Sequence, residues 1–264
     1  MKKNQIRNLP LVILAGGLGS RLSEETVVKP KPLVEIGGKP IILHLMKYYH
    51  FYGIKKFIIC LGYKGEMIRD YFINRYLKNK NVTINSENKS FINLKFKKNE
   101  NWEIKFVDTG NNSLTGRRLK LIEPLIDKYF LFTYGDGLSN IPIDKLIKQY
   151  FDQKSIGMLS AVKIDPKFGV IKFKNKTNLV SSFKEKKSDE ETWINAGFGI
   201  FSKKIFNYIR KNQNVPFEQA PLEKLSQDKE LTMFKHHGKW KCMDTLRDKI
   251  EFEEICKTDP FWVK

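Results

Sequence analysis

Short apolar runs alternate along this chain with longer amphipathic ones of helical period. Residues 11–15, 56–61, 103–107, 129–134 and 156–162 are strand-length and rich in Ile, Val, Phe and Tyr, as strands buried on both faces are. Residues 41–52 (IILHLMKYYHFY) repeat apolar positions at helical spacing and stop at Gly53, a residue suited to a helix C-cap. Residues 66–77, 143–150, 204–211 and 250–257 read as further helices. Residues 82–106 alternate polar and apolar positions and are rich in Asn and Lys, which predicts an antiparallel hairpin inserted into the domain. Strands separated by helices predict an α/β fold, a mostly parallel sheet between helical layers. Ligands of such sheets sit at the carboxyl ends of the strands.

The 264 residues suffice for one large α/β domain or two smaller ones. No stretch reaches the apolar length of a membrane span. The basic start, MKKNQIRNLPLVILAGG, has too short an apolar run for a secretory signal, so residues 1–9 are expected to be an extension before the first strand. Three widely spaced cysteines, Cys60, Cys242 and Cys256, suggest neither a disulfide framework nor a zinc site, and a cytoplasmic location is the expectation. The net charge of +19 would suit a nucleic-acid binder, but the lysines form no compact stripe with interleaved aromatics. A field of that sign also steers anionic substrates.

Candidate chemistry concentrates in LVILAGGLGSRLSEETVVKPKPLVEIGGKP, residues 11–40. The first predicted strand, with Leu14 and Ala15 at its end, runs into Gly16, Gly17 and Gly19, then Ser20 and Arg21, with Lys29 and Lys31 further on. Glycines after a strand permit a tight turn that brings bare N–H groups against an anion. Arg and Lys nearby supply charge for a polyphosphate, although a Lys-rich chain also places such residues on helix surfaces. Asp136, between Gly135 and Gly137 after a strand, is open to a hard cation or is a turn aspartate. Asp244 precedes a helical run and would suit an N-cap. Tyr134 either meets the ligand or packs in the core. The stretch FKEKKSDEE reads equally as a solvated charge cluster, and the four histidines have no ligand spacing.

LAGGLGSRL with KPKPLVEIGGKPI, then GYKG, VDTG, FTYGDG and GKWKCMDTLRD in that order, resemble the sugar-1-phosphate nucleotidylyltransferases over residues 9–262. MDTLRD points to the cytidylyl branch. The resemblance implies a Rossmann-like three-layer α/β/α nucleotidyltransferase fold over 10–262, with a mixed, mostly parallel sheet and a small sugar-binding lobe at about 160–240. It implies an enzyme that transfers a cytidylyl group from CTP to α-D-glucose 1-phosphate with Mg²⁺, giving CDP-glucose and pyrophosphate for surface polysaccharides, as a homo-oligomer without nucleic-acid or membrane partners. By the same resemblance Asp136 and Asp244 hold Mg²⁺, Arg21 meets the β- and γ-phosphates and Lys31 the α-phosphate. Leu14, Ala15, Gly16, Gly17, Gly19 and Ser20 line the nucleotide site, Arg21, Lys31 and Asp136 form the catalytic set, and Asn112, Thr115, Gly116, Arg117 and Tyr134 surround the base. Gly169, Glu185, Lys186, Asn195 and Gly197 take the sugar phosphate. Arg117, Lys187 and Ala196 depart from the family pattern, which leaves open another nucleotide or another sugar phosphate. A non-catalytic nucleotide-sugar-binding protein or a nucleic-acid-binding module would lack a use for Arg21, Lys31, Asp136 and Asp244 together.

Overall fold

The structure is a computed structural model that describes residues 9–77, 82–88, 91–96, 101–164, 170–174, 177–184 and 192–264. Nine strands form one sheet in the order Leu231–His236, Gly157–Ile164, Thr192–Ser202, Tyr129–Tyr134, Pro10–Leu14, Lys56–Leu61, Glu103–Asp108, Phe91–Phe96 and Val82–Asn88. Phe91–Phe96 and Thr192–Ser202 run against the other seven, so the sheet is mixed and mostly parallel. The expected hairpin is the sheet's edge: Val82–Asn88 pairs antiparallel with Phe91–Phe96, which pairs antiparallel with Glu103–Asp108. Strands from the 160–240 region join the same sheet, and Val170–Lys174 pairs with Thr177–Lys184 in a separate two-stranded ladder.

Both faces of the sheet are covered, and the strand period of two shows how. Leu11 and Ile13 belong to one buried cluster, Val12 and Leu14 to the other. The first face carries the helices Ile41–Phe51, Gly65–Leu77 and Ile143–Gln153, with Phe252 from Leu246–Thr258. The second carries Leu119 of Thr115–Leu121, Leu222 and Leu225 of Ala220–Gln227, and Ile205 and Phe206. Those last two lie in a 3₁₀ segment, Lys203–Tyr208, where residues 204–211 predicted an α-helix. The tighter repeat lets a short six-residue connector seat two apolar side chains against the sheet. No helix among the described residues is long and apolar enough to cross a membrane.

The helix Ile41–Phe51 ends as its glycine predicts: Gly53 has φ of 89° and its N–H donates to the carbonyl of His50 at 2.8 Å. His44 within it is structural. Its Nδ1 accepts from Trp262 Nε1 at 3.1 Å, so its Nε2 carries the proton donated to the carbonyl of Ile36 at 2.9 Å. Burial, with Lys39 and Lys47 nearby, lowers its pKa.

Candidate active site

The parallel strands Pro10–Leu14, Lys56–Leu61, Glu103–Asp108 and Tyr129–Tyr134 keep a common register, with Leu14 opposite both Cys60 and Tyr134. Their carboxyl ends therefore stop together, and the loops that follow enclose a cavity of about 400 Å³. Of the residues singled out in the sequence, Leu14, Ala15, Gly16, Gly17, Gly19, Ser20, Arg21, Lys31, Thr115, Tyr134 and Asp136 all line it.

Two glycines of the first loop are there for different reasons. Gly19 adopts a left-handed backbone, φ 65°, that most side chains avoid. At Gly16 the constraint is space, since a Cβ would lie 2.3 Å from Arg118 Nη1. Arg118 is 3% exposed, and its guanidinium donates to uncharged acceptors among the described residues. Nη1 reaches the carbonyls of Leu61 and Gly110 and the Thr109 hydroxyl at 2.6–3.0 Å. Nη2 reaches the carbonyls of Gly16 at 2.8 Å and Asn111 at 3.3 Å. One side chain thus ties together the loops after three strands, and burial lowers its pKa.

The base-loop candidates fall in different places. Arg118 lines the cavity and Arg117 does not, because adjacent residues of the helix Thr115–Leu121 point about 100° apart and only position 118 faces inward. Asn112 is also outside the lining; its carbonyl accepts from Asn214 Nδ2 at 2.9 Å. Gly116 is buried behind the wall and its N–H donates to the carbonyl of Val215 at 3.0 Å.

The two aspartates meet although they come from distant parts of the chain. Trp240–Cys242 pairs antiparallel with Gly137–Ser139, and the Met243 N–H donates to the Asp136 carbonyl at 2.9 Å, which delivers Asp244 beside Asp136. The N-cap of the last helix is Thr245, not Asp244: Thr245 Oγ1 accepts from the Asp248 N–H, and Asp248 Oδ2 accepts from the Thr245 N–H. The Asp244 carboxylate is thereby spared capping and faces the cavity's cations. Lys31 Nζ donates to Asp136 Oδ2 at 2.8 Å and to Asp244 Oδ1 at 2.7 Å. Arg21 Nη1 donates to Asp244 Oδ2 at 2.9 Å. Burial works against the charge on Lys31, but Asp136 and Asp244 outweigh it and raise its pKa. Burial likewise pushes the Asp244 carboxyl up, but Lys31 and Arg21 hold it below the usual range.

A third group closes the opposite wall. Tyr134 donates its hydroxyl to Glu218 Oε1, and burial followed by that carboxylate raises the Tyr134 pKa. Thr115 Oγ1 donates to Glu218 Oε2 at 2.6 Å while accepting the Phe217 N–H at 2.7 Å. The sequence expectation misses Glu218 and Pro216, both of which line the cavity. Their only signal, a Pro-Phe-Glu run before a helix, carries no chemistry of its own. Asn195 is exposed, and its Oδ1 accepts the Gly197 N–H at 2.8 Å. Gly169, Glu185 and Lys186 lie outside the described residues.

The nucleotidyl transferase family model matches residues 11–254. A glucose-1-phosphate cytidylyltransferase of Salmonella typhimurium is 45% identical over 247 residues, covering 92% of this chain and 94% of the relative. A probable glucose-1-phosphate cytidylyltransferase of Bacillus subtilis is 39% identical over 245 residues, again 92% and 94%. In fold, the chain is similar to a UDP-glucose pyrophosphorylase complexed with UDP-glucose, with a TM-score of 0.67, 17% identity, and 94% and 98% of the two chains covered.

Proposed function

The chain belongs to the nucleotidyl transferase family, and from that premise we propose that it transfers a cytidylyl group from CTP to α-D-glucose 1-phosphate, releasing pyrophosphate and CDP-glucose. The observation that carries this reading is the meeting of Arg21, Lys31, Asp136 and Asp244 at the glycine loop, in a chain so close to the Salmonella enzyme over nearly the full length of both.

A phosphate monoester oxygen of the sugar phosphate attacks the α-phosphorus in line with the departing pyrophosphate. That oxygen is already ionised near neutral pH, since the second pKa of such a group is about 6, so no general base is needed. The work is to hold two anions together and to answer the charge that builds on the leaving group. Lys31 is the fixed cation, buried and kept charged by two carboxylates. Arg21 is the cation with reach, its side chain 75% exposed and able to leave Asp244 for the phosphates. Arg118 holds the loop carbonyls so that the glycine turn keeps its shape.

The donor set suits Mg²⁺. Asp136 and Asp244 each give one carboxylate oxygen to Lys31 Nζ, so the two carboxylates stand side by side and can hold one ion next to that ammonium. Mg²⁺ takes one or two protein carboxylates and completes its shell with water and phosphate oxygens, so two aspartates are enough. When bound there, Mg²⁺ supplies charge neutralisation at the transferring phosphoryl group. By likeness to the family the active form is a homo-oligomer, and three free cysteines accord with a reducing cytoplasm. Pyrophosphate release across ATP, CTP, GTP, UTP and dTTP and several sugar 1-phosphates, with and without Mg²⁺, tests the reading. Turnover with UTP or dTTP but not CTP would overturn the cytidylyl assignment.

A further inference from the structure

Glu218 is out of place in a cavity built for polyanions. The glycine loop, Arg21 and Lys31 attract phosphate at one end, whereas a carboxylate repels it, and no cation answers Glu218 among its hydrogen-bond partners in the described residues. Those partners are two hydroxyls, Tyr134 on Oε1 and Thr115 on Oε2. Each carboxylate oxygen accepts up to two hydrogen bonds, so one place remains open on each. A pair of open places on one exposed carboxylate held by two hydroxyls matches two neighbouring O–H donors and is only half used by a single donor.

The carboxylate is also preorganised. Thr115 Oγ1 accepts the Phe217 N–H, which turns its own proton toward Glu218. The segment around Glu218 is stitched to the base-side loop at three further points: Gly116 N–H to the Val215 carbonyl, Leu114 N–H to Asn214 Oδ1, and Asn214 Nδ2 to the Asn112 carbonyl. Glu218 is 84 residues from Tyr134 and 103 from Thr115, so the fold alone assembles the trio. We propose that Glu218, held by Tyr134 and Thr115, is a specificity-determining acceptor for a vicinal diol of the substrate. The inference rests on the cytidylyl-transfer reading, under which two diols enter the cavity: the ribose 2′,3′-diol of the nucleotide and the ring hydroxyls of the hexose phosphate.

The test compares the wild type with Glu218→Ala and Glu218→Gln, measuring kcat/KM and equilibrium binding. The substrates are CTP, 2′-deoxy-CTP and 3′-deoxy-CTP on one arm, glucose 1-phosphate and its 2-, 3- and 4-deoxy analogues on the other. Hydrogen bonds to a charged group set the expected scale, a loss on the order of tenfold for Glu218→Ala with the natural substrates. That loss should disappear with the deoxy analogues of one arm, and the arm on which it disappears names the diol. Glu218→Gln, which keeps one oxygen, should lose less. An equal loss with every analogue, no loss at all, or a changed preference for CTP over UTP would overturn the proposal; the last would make Glu218 a reader of the base. The binding arm keeps the two readings apart. Diol discrimination without CTP turnover would overturn the proposed reaction and leave the role of Glu218 standing.

Discussion

Lys31→Ala separates what the cation does for the fold from what it does for the reaction. In the wild type its ammonium lies between Asp136 and Asp244, whose side chains are 30% and 24% exposed. Without it the two carboxylates confront each other. Two unit charges roughly 5 Å apart at an effective dielectric of about 20 repel by about 3 kcal/mol. Their partial exposure screens this to about 1–2 kcal/mol, or a fall in Tm of a few degrees. The activity cost is larger. Loss of one preorganised electrostatic donor at developing charge costs on the order of 10²–10³ in kcat, about 2.7–4 kcal/mol. Thermal denaturation and a coupled pyrophosphate-release assay at saturating substrates read the two effects on the same preparation. Lys31→Met, which restores the aliphatic stem but not the charge, should recover packing and none of the activity. A Lys31→Ala enzyme within fivefold of wild-type kcat would refute the placement of Lys31 at the reacting phosphate.

Asp136→Asn should lose most turnover while melting within a few degrees of wild type, as circular dichroism and initial rates would show; near-normal turnover would make Asp136 a turn residue only. Arg118→Lys should destabilise by about 2–4 kcal/mol, because one ammonium cannot serve the acceptors a planar guanidinium reaches, and should raise the nucleotide KM as the glycine loop loosens. His44 gives a pH signature. Its folded pKa lies below its unfolded value, so its neutral form stabilises the fold above about pH 6.5, and that contribution is lost as pH falls from 6.5 through the folded pKa. Melting profiles should therefore decline over that window, and His44→Asn, whose oxygen can still accept from Trp262, should flatten the decline; an identical slope in the variant would remove His44 from the account.

Strands that are buried uniformly are legible from sequence. Lys56–Leu61 and Tyr129–Tyr134 match their apolar runs to the residue, because both faces of each strand are covered and nearly every position must be apolar. Thr192–Ser202 is not legible in the same way: TWINAGFGIFS carries two glycines where neighbouring strands approach closely, and they disguise the run. Leu231–His236 is an edge strand with exposed positions between its buried ones, which dilutes its pattern. In the site, Arg21, Lys31, Asp136 and Asp244 sit in recognisable local motifs. Glu218 does not, since it is placed by a tertiary contact with Tyr134, and the contacts of Arg118 with Gly16 and Leu61 are equally hidden in the Thr-Gly-Arg-Arg run that holds it. Sequence spacing carries no trace of such contacts.

The central claim is that the chain moves the cytidylyl group of CTP onto a sugar phosphate. Incubation with α-³²P-labelled CTP, glucose 1-phosphate and Mg²⁺, followed by chromatographic separation of the products, tests it most directly. The account predicts label in CDP-glucose, with one unlabelled pyrophosphate released per sugar nucleotide formed. Label recovered only as CMP or CDP, or left in CTP under conditions where another nucleoside triphosphate is consumed, would contradict it.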